Sequence, residues 1–196
     1  MTLTIYGDSI SGNCLKVKWV AERLSIPHRW VEVDIMKGES RTADFLEKNP
    51  FGQVPVVVLD DGRTLAQSNA IITHLAEGSD LIPADAYERA KMFEWLFWEQ
   101  YSHEPYVAVV RFQVRYQGKN PAEIDSKLVE RSHIALHRLE DALKGGGFLV
   151  GPQLTLADVS LVAYTRMADE GGLGLARYPA VQAWIARVEA ALPIKE

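Results

Sequence analysis

The sequence predicts an α/β domain over residues 1–78 and an all-helical domain over residues 87–196, with a linker at 79–86. Three observations carry this. In the first part, runs of period-two alternation interleave with helical spacing in the order β-α-β-α-β-β-α. Around Gly78-Ser79-Asp80 and Ile82-Pro83-Ala84-Asp85 that pattern stops. Beyond it, apolar residues recur only at helical spacing.

Residues 1–6, Met-Thr-Leu-Thr-Ile-Tyr, read as a strand that stops at Gly7-Asp8-Ser9. Over residues 13–25, Cys14, Val17, Val20, Ala21 and Leu24 fall on helical spacing, and Pro27 closes the helix. Val31, Val33 and Ile35 alternate with Glu32 and Asp34, which predicts a strand. A short helix fits residues 42–48, ahead of Asn49-Pro50. Residues 54–59 form a buried-looking strand, and Asp60-Asp61-Gly62 turns it into Thr64-Leu65-Ala66 as an antiparallel hairpin. Ser68 opens another helix, with Ile71, Ile72 and Leu75 on its inner face and Gly78 near its end. A parallel βαβ unit joined to an antiparallel hairpin is the thioredoxin-like arrangement.

The later segments predict helices over 87–118, 121–144, 155–170 and 179–192. Pro105 lies inside the first and should kink it, because proline removes a backbone donor. In the second, Ile124, Leu128, Ala135, Leu139 and Leu143 make an apolar stripe, ended by Gly145-Gly146-Gly147.

Bulk properties exclude several classes. The chain has 196 residues, 47% hydrophobic and 24% charged, enough to bury sizeable cores. A formal net charge of -5 without a Lys/Arg run argues against nucleic acid as a partner. No stretch reaches the roughly 18 apolar residues of a membrane span. The start of the chain lacks the basic and apolar regions of a signal peptide. Cys14 is the sole cysteine, which rules out an intrachain disulfide or a Cys-x-x-Cys pair. A reducing, cytoplasmic location is expected.

Three segments could carry chemistry. Ser9-Ile10-Ser11-Gly12-Asn13-Cys14 runs from the first strand into a helix N-terminus, where unpaired N–H groups and the macrodipole favour a thiolate. Redox members of the fold carry a reactive cysteine where Ser11 stands. Ser11 reads either as a helix cap or as a hydroxyl donor to a ligand's thiolate. Cys14 reads as a small core residue rather than a nucleophile.

The second segment is Asn49-Pro50-Phe51-Gly52-Gln53-Val54-Pro55. Pro55 is either a strand-initiating proline or the site of a cis peptide that presents the backbone of Val54 to an extended peptide ligand. In the third, Gln67-Ser68-Asn69-Ala70-Ile71, Ser68 either caps a helix or holds a carboxylate there, with Gln67 adding a polar group. On one scaffold the three converge at one end of the sheet. His133 and His137 have the spacing of a helical metal pair, but no third ligand accompanies them, so a solvated face is expected and no metal.

These segments, in this order, resemble the cytosolic glutathione transferase family over essentially the whole chain, and most of all its bacterial and theta-like members with a serine in the first loop. Tyr6 with Ser11-Gly12-Asn13, the 49–55 loop and the 67–71 segment carry the likeness, and Thr155-Leu156-Ala157-Asp158 resembles the family's helix-capping motif. The resemblance implies that Ser11 hydrogen-bonds the glutathione sulfur and that Val54 pairs with the cysteinyl part. It implies that Gln67 and Ser68 hold the γ-glutamyl end, that Asn13 belongs to the same glutathione site, and that Lys37 or Gln53 lies near the glycine carboxylate. Gln67 departs from the acidic residue common there, which weakens contact with the γ-glutamyl ammonium.

It also implies a homodimer that attacks small hydrophobic electrophiles with glutathione as co-substrate and without a permanently bound cofactor. His103 and Tyr106, beside Pro105, are candidates for lining the electrophile cleft. Phe51 is either a subunit anchor or a surface ring over its own loop. Glutathione-dependent disulfide or peroxide reduction, or a non-catalytic binding module, are the alternatives.

Overall fold

The computed structural model describes residues 3–192 and 194. The expected strand contribution of Met1 and Thr2 lies outside the described residues. The chain divides into two compact units, one running through Ser79 and the other spanning Asp80–Leu192. The first is thioredoxin-like and the second all-helical, as the sequence predicts.

In the first unit the order is β1 (Leu3–Gly7), α1 (Gly12–Arg23), β2 (His28–Glu32), α2 (Ala43–Lys48), β3 (Val56–Val58), β4 (Thr64–Ala66) and α3 (Ser68–Leu75). The sheet runs β2-β1-β3-β4. β1 and β2 are parallel, while β3 lies antiparallel to both β1 and β4. Ile5, Val56 and Val57 are fully buried in the sheet, α1 packs beside α3, and Val17, Val20, Ile71 and Ile72 on these helices are fully buried. At about 25 cal/mol per Å² of apolar area removed from water, such side chains supply most of the favourable free energy of this core.

Register fixes what shares an end. Tyr6 lies opposite Val56, and Val56 opposite Ala66. The exit of β1, the entry to β3 and the exit of β4 therefore meet at one end of the sheet, with Gly7 opposite Glu32 beside them.

β2 ends sooner than the alternation predicts. Val33 still donates its N–H to Gly7 O at 2.9 Å. Asp34 then accepts from the backbone of Met36 and Lys37 and caps a 3-10 turn over Ile35–Lys37, so a side-chain cap outcompetes strand continuation. The hairpin turn follows the expected chemistry, with Gly62 at φ +85° and Leu59 N–H donating to Arg63 O.

The helical unit contains α4 (Ala86–Trp98), a π-helical turn (Glu99–His103), α5 (Glu104–Arg115), α6 (Ser126–Leu143), α7 (Leu156–Thr165) and α8 (Pro179–Ala191). The helix predicted through 87–118 with a kink at Pro105 is thus interrupted. A proline cannot donate to the turn before it, and the widened π turn ends two residues ahead of Pro105. The remaining predicted helices also shorten: residues 121–123 and 168–171 form 3-10 turns instead of extending α6 and α7. The apolar face of α6 includes Ala135, Leu136, Leu139 and Leu143.

α7 is buried on every side, and its polar head is organised by Asp158. That carboxylate accepts from Leu149 N, Thr155 N, Thr155 Oγ1 and Trp184 Nε1, between 2.8 and 3.1 Å. Burial pushes the Asp158 carboxyl up from its usual range, and these donors pull it back. The motif at 155–158 is thereby a local cap joined to a distant anchor on α8. Leu81, ahead of α4 in the chain, is fully buried and accepts from Leu156 N.

His137 is exposed and His133 half-buried, and both lie against one ring. His133 Nδ1 lies 2.8 Å from Tyr178 Oη with the rings stacked, and His137 meets the same ring edge-on. The helical repeat placed them opposite the apolar stripe, and Tyr178, ahead of α8, packs against part of that face while His137 keeps its solvent exposure. Among the described residues, no helix is long and apolar enough to cross a membrane.

Candidate active site at the thioredoxin-like sheet end

The loop after β1 is held from several directions. Gly7 lies so close to Trp30 that an added Cβ would sit 2.6 Å from the indole, so glycine is required there. Trp30 Nε1 donates to Glu32 Oε2 at 2.7 Å, and Ser9 N–H donates to Glu32 Oε1 at 2.8 Å. Asp8 accepts from Ile10 N through its side chain and from Ser11 N through its carbonyl. The backbone that presents Ser11 is thus tied to β2 and to its own turn.

Ser11 is the N-cap of α1 with extended backbone, yet its side chain makes no capping hydrogen bond to the helix. Its hydroxyl interacts instead with the thiol of Cys14. Burial pushes that thiol up to about 12, while the hydrogen bonds from the Ser11 hydroxyl and the Asp8 N–H pull it down. Cys14 has no solvent exposure, which accords with its reading as a core residue.

Asn13, in the first turn of α1, joins the head of α3. Its Oδ1 accepts from Ser68 Oγ at 3.0 Å and from Lys16 Nζ at 2.8 Å. Ser68 is buried at the first position of α3. Gln67, just before it, is exposed and held at φ +71°, a left-handed conformation that non-glycine residues seldom adopt and that marks functional turns.

The Val54-Pro55 peptide is cis. Strand pairing begins at Val56, so Val54 stands ahead of the ladder at the same sheet end as Ser11 and Ser68. Gln53 is exposed, and its carbonyl accepts from Asn49 Nδ2 at 2.7 Å. Lys37 is also exposed and pairs with Asp34 at 2.9 Å, on the turn beyond β2. Phe51 is 65% exposed.

The two helical candidates part company. Tyr106 is half-buried on α5. His103 is wholly buried inside the helical unit, where its Nε2 lies 3.0 Å from Thr165 Oγ1. Thr165 spends its hydroxyl proton on Leu161 O, so the imidazole Nε2–H is the donor. His103 therefore does not line an open cleft: the π turn rotates it into the core against Trp98 and α7.

Sequence spacing missed Lys16 and Glu32. Lys16 shares a helix face with Asn13, at i and i+3, which was the available signal. Glu32 offered only its place on a strand beside β1.

A thioredoxin-like unit followed by an all-helical unit, with a polar cluster at the end of its sheet, defines a thiol-handling two-domain class. The glutathione S-transferase N-terminal domain family matches residues 10–77, and the glutathione S-transferase C-terminal domain family matches residues 94–191. The chain is 32% identical to glutathione S-transferase 3 of Zea mays, over 93% of this chain and 86% of that protein. It is likewise 32% identical to glutathione S-transferase theta-1 of Mus musculus, over 98% and 84%. A crystal structure of a glutathione S-transferase from Pseudomonas fluorescens Pf-5 superposes with a TM-score of 0.91 at 44% identity, covering 96% of this chain and 94% of that one. The chain belongs to the glutathione S-transferase family, and its function is that of a glutathione transferase.

Proposed function

We propose that this is a serine-type transferase of the bacterial and theta-like kind, in which Ser11 holds the thiolate of glutathione for attack on small hydrophobic electrophiles. The observation that carries the reading is the hydrogen bond between Ser68 and Asn13. It brings the head of α3 against the loop and first turn that contain Ser11, at the sheet end where Val54-Pro55 also lies. Val54 would pair through its backbone with the cysteinyl part, and Ser68, Gln67 and Asn13 would receive the γ-glutamyl end. Gln53 or Lys37 would meet the glycine carboxylate, with Lys37 first leaving Asp34.

The energetics suffice. Lowering a thiol pKa by about 2 units takes about 2.7 kcal/mol of preference for the thiolate. One hydrogen bond to a charged group supplies about 1.5–3 kcal/mol. A helix N-terminus adds up to about 2 kcal/mol. Ser11 stands at the head of α1 with its hydroxyl not spent on capping the helix. The thiolate then attacks the electrophilic centre, and the leaving group departs with its electron pair.

Tyr106 remains the helical-domain residue assigned to the electrophile. A homodimer in the cytoplasm completes the reading: the exposed rings of Phe51, Phe97 and Tyr101 are apolar surface that a second copy would cover.

The test is the ultraviolet thiolate absorbance of bound glutathione at neutral pH, wild type against Ser11→Ala. A band in the wild type that the variant loses is expected. Absence of the band from the wild type, or its persistence in the variant, removes Ser11 from this role. Failure to bind glutathione at millimolar concentration would overturn the site as a whole.

A further inference from the structure

We propose that Lys16 is a positioning residue for the γ-glutamyl end of glutathione, acting through Asn13 and Ser68. This rests on the glutathione-site reading given above.

Lys16 has no solvent exposure, although lysine is among the residues least often fully buried. Taking an ammonium out of water is costly unless hydrogen bonds and an organised environment compensate. A core position on α1 would take an unbranched apolar side chain at no such cost. The ammonium donates to Asn13 Oδ1 at 2.8 Å, the same oxygen that accepts from Ser68 Oγ at 3.0 Å.

The charge settles which way the amide of Asn13 faces. The two ends of a carboxamide have nearly the same shape, but one accepts and the other donates. Turned over, Asn13 would set its NH₂ group against the Lys16 ammonium, donor against donor. Lys16 thus keeps the carbonyl end on Ser68, and Ser68 is held in one arrangement at the first position of α3. That is the helix head proposed to receive the γ-glutamyl group, whose carboxylate the α3 dipole also favours. The sulfur end of the ligand, at Ser11, is served by separate groups, so the effect belongs to binding and not to the chemical step.

The experiment measures affinity for glutathione and for the dipeptide Cys-Gly, which lacks the γ-glutamyl group, by calorimetry, together with KM, kcat and the pKa of the bound thiol. The proteins are the wild type, Lys16→Met, Lys16→Arg, Asn13→Ala, Ser68→Ala and the Lys16→Met/Ser68→Ala double variant. Lys16→Met is expected to raise the glutathione Kd and KM by about tenfold, the scale of one lost polar contact. Its kcat, bound-thiol pKa and Cys-Gly affinity should stay near wild type, and Lys16→Arg should recover part of the loss. The double variant should lose less than the sum of the two singles, because both act on one chain of contacts.

Lys16→Met with unchanged preference for glutathione over Cys-Gly overturns the inference. So does an equal loss for both ligands, which would mark a merely structural lysine. If Lys16→Met does not fold, Asn13→Ala cuts the same link, and an unchanged preference there overturns the inference equally. Wild-type protein that binds glutathione no better than Cys-Gly overturns the site reading itself, a result distinct from the others.

Discussion

Ser68 donates its hydroxyl to the side-chain carbonyl of Asn13 at 3.0 Å, joining the heads of two helices whose residues stand 55 apart in the chain. Each residue alone looks like ordinary helix-start chemistry. Together they fix the distance between the loop that presents Ser11 and the helix end proposed for the γ-glutamyl group. Ser68→Ala removes that link and a ligand contact at once. Its glutathione KM should rise by about tenfold, with kcat within about twofold, for the loss of about 1.5 kcal/mol of hydrogen bonding. Steady-state kinetics with varied glutathione check this, and a fall in kcat with KM unchanged would contradict it.

Cys14 should be chemically silent in the native protein. With its thiol pushed up to about 12, only about one molecule in ten thousand carries a thiolate at pH 8, and the sulfur has no solvent access. A thiol reagent such as DTNB should react slowly with native protein and at once after unfolding in guanidinium. Cys14→Ala should retain activity while losing about 1–2 kcal/mol of stability to a small cavity. An inactive but folded Cys14→Ala would return the nucleophile question to the sulfur.

Acid should loosen the Ser11 loop through Glu32. Burial opposes ionisation of this carboxyl, but the N–H groups of Trp30 and Ser9 outweigh it and hold Glu32 below the usual glutamate range. A depressed carboxyl contributes order that is complete above its unfolded value and lost as pH falls through its folded one. The loop should therefore be unchanged across neutral pH and loosen only below the ordinary glutamate range. Exchange of the Ser9 amide, followed by NMR against pH, reads this directly. Glu32→Gln should show the looser loop already at pH 7, and equal protection in both proteins would remove Glu32 from this role.

The helical unit should depend on Asp158 more than on any single apolar side chain around it. Asp158→Ala leaves the N–H groups of Leu149, Thr155 and Trp184 without their acceptor in a buried setting. At about 1–3 kcal/mol for each unsatisfied buried group, a loss of about 3 kcal/mol or more is expected. For a chain of this length that lowers Tm by about 6–12 °C. Calorimetry checks it, and a shift below about 2 °C would show that water replaces the carboxylate.

Much of the architecture was legible in the sequence, because the signals involved are local. A short strand run stopped by Gly7-Asp8-Ser9 gave β1, a buried apolar run with the Asp60-Asp61-Gly62 turn gave the β3–β4 hairpin, helical spacing gave α1 and α6, and Gly62 and Gly146 stood where positive φ was needed. The Thr155–Asp158 cap and the special status of Val54-Pro55 likewise show in a few adjacent residues. Local signals failed where two of them competed: Asp34 capped a turn instead of continuing β2, and Pro105 was met by a π turn that carried His103 into the core.

By itself, then, the sequence determined the two-unit order, the elements and the stretch around Ser11 as the place for thiol chemistry. Only the tertiary structure decided that Ser68 meets Asn13, that Glu32 holds Ser9, and that the Lys16 ammonium is buried behind them. The reason is physical. Backbone periodicity and capping act within a turn or two of chain, whereas the partner of a polar side chain is set by which elements pack together. A lysine on a helix reads as solvated until the rest of the fold closes over it.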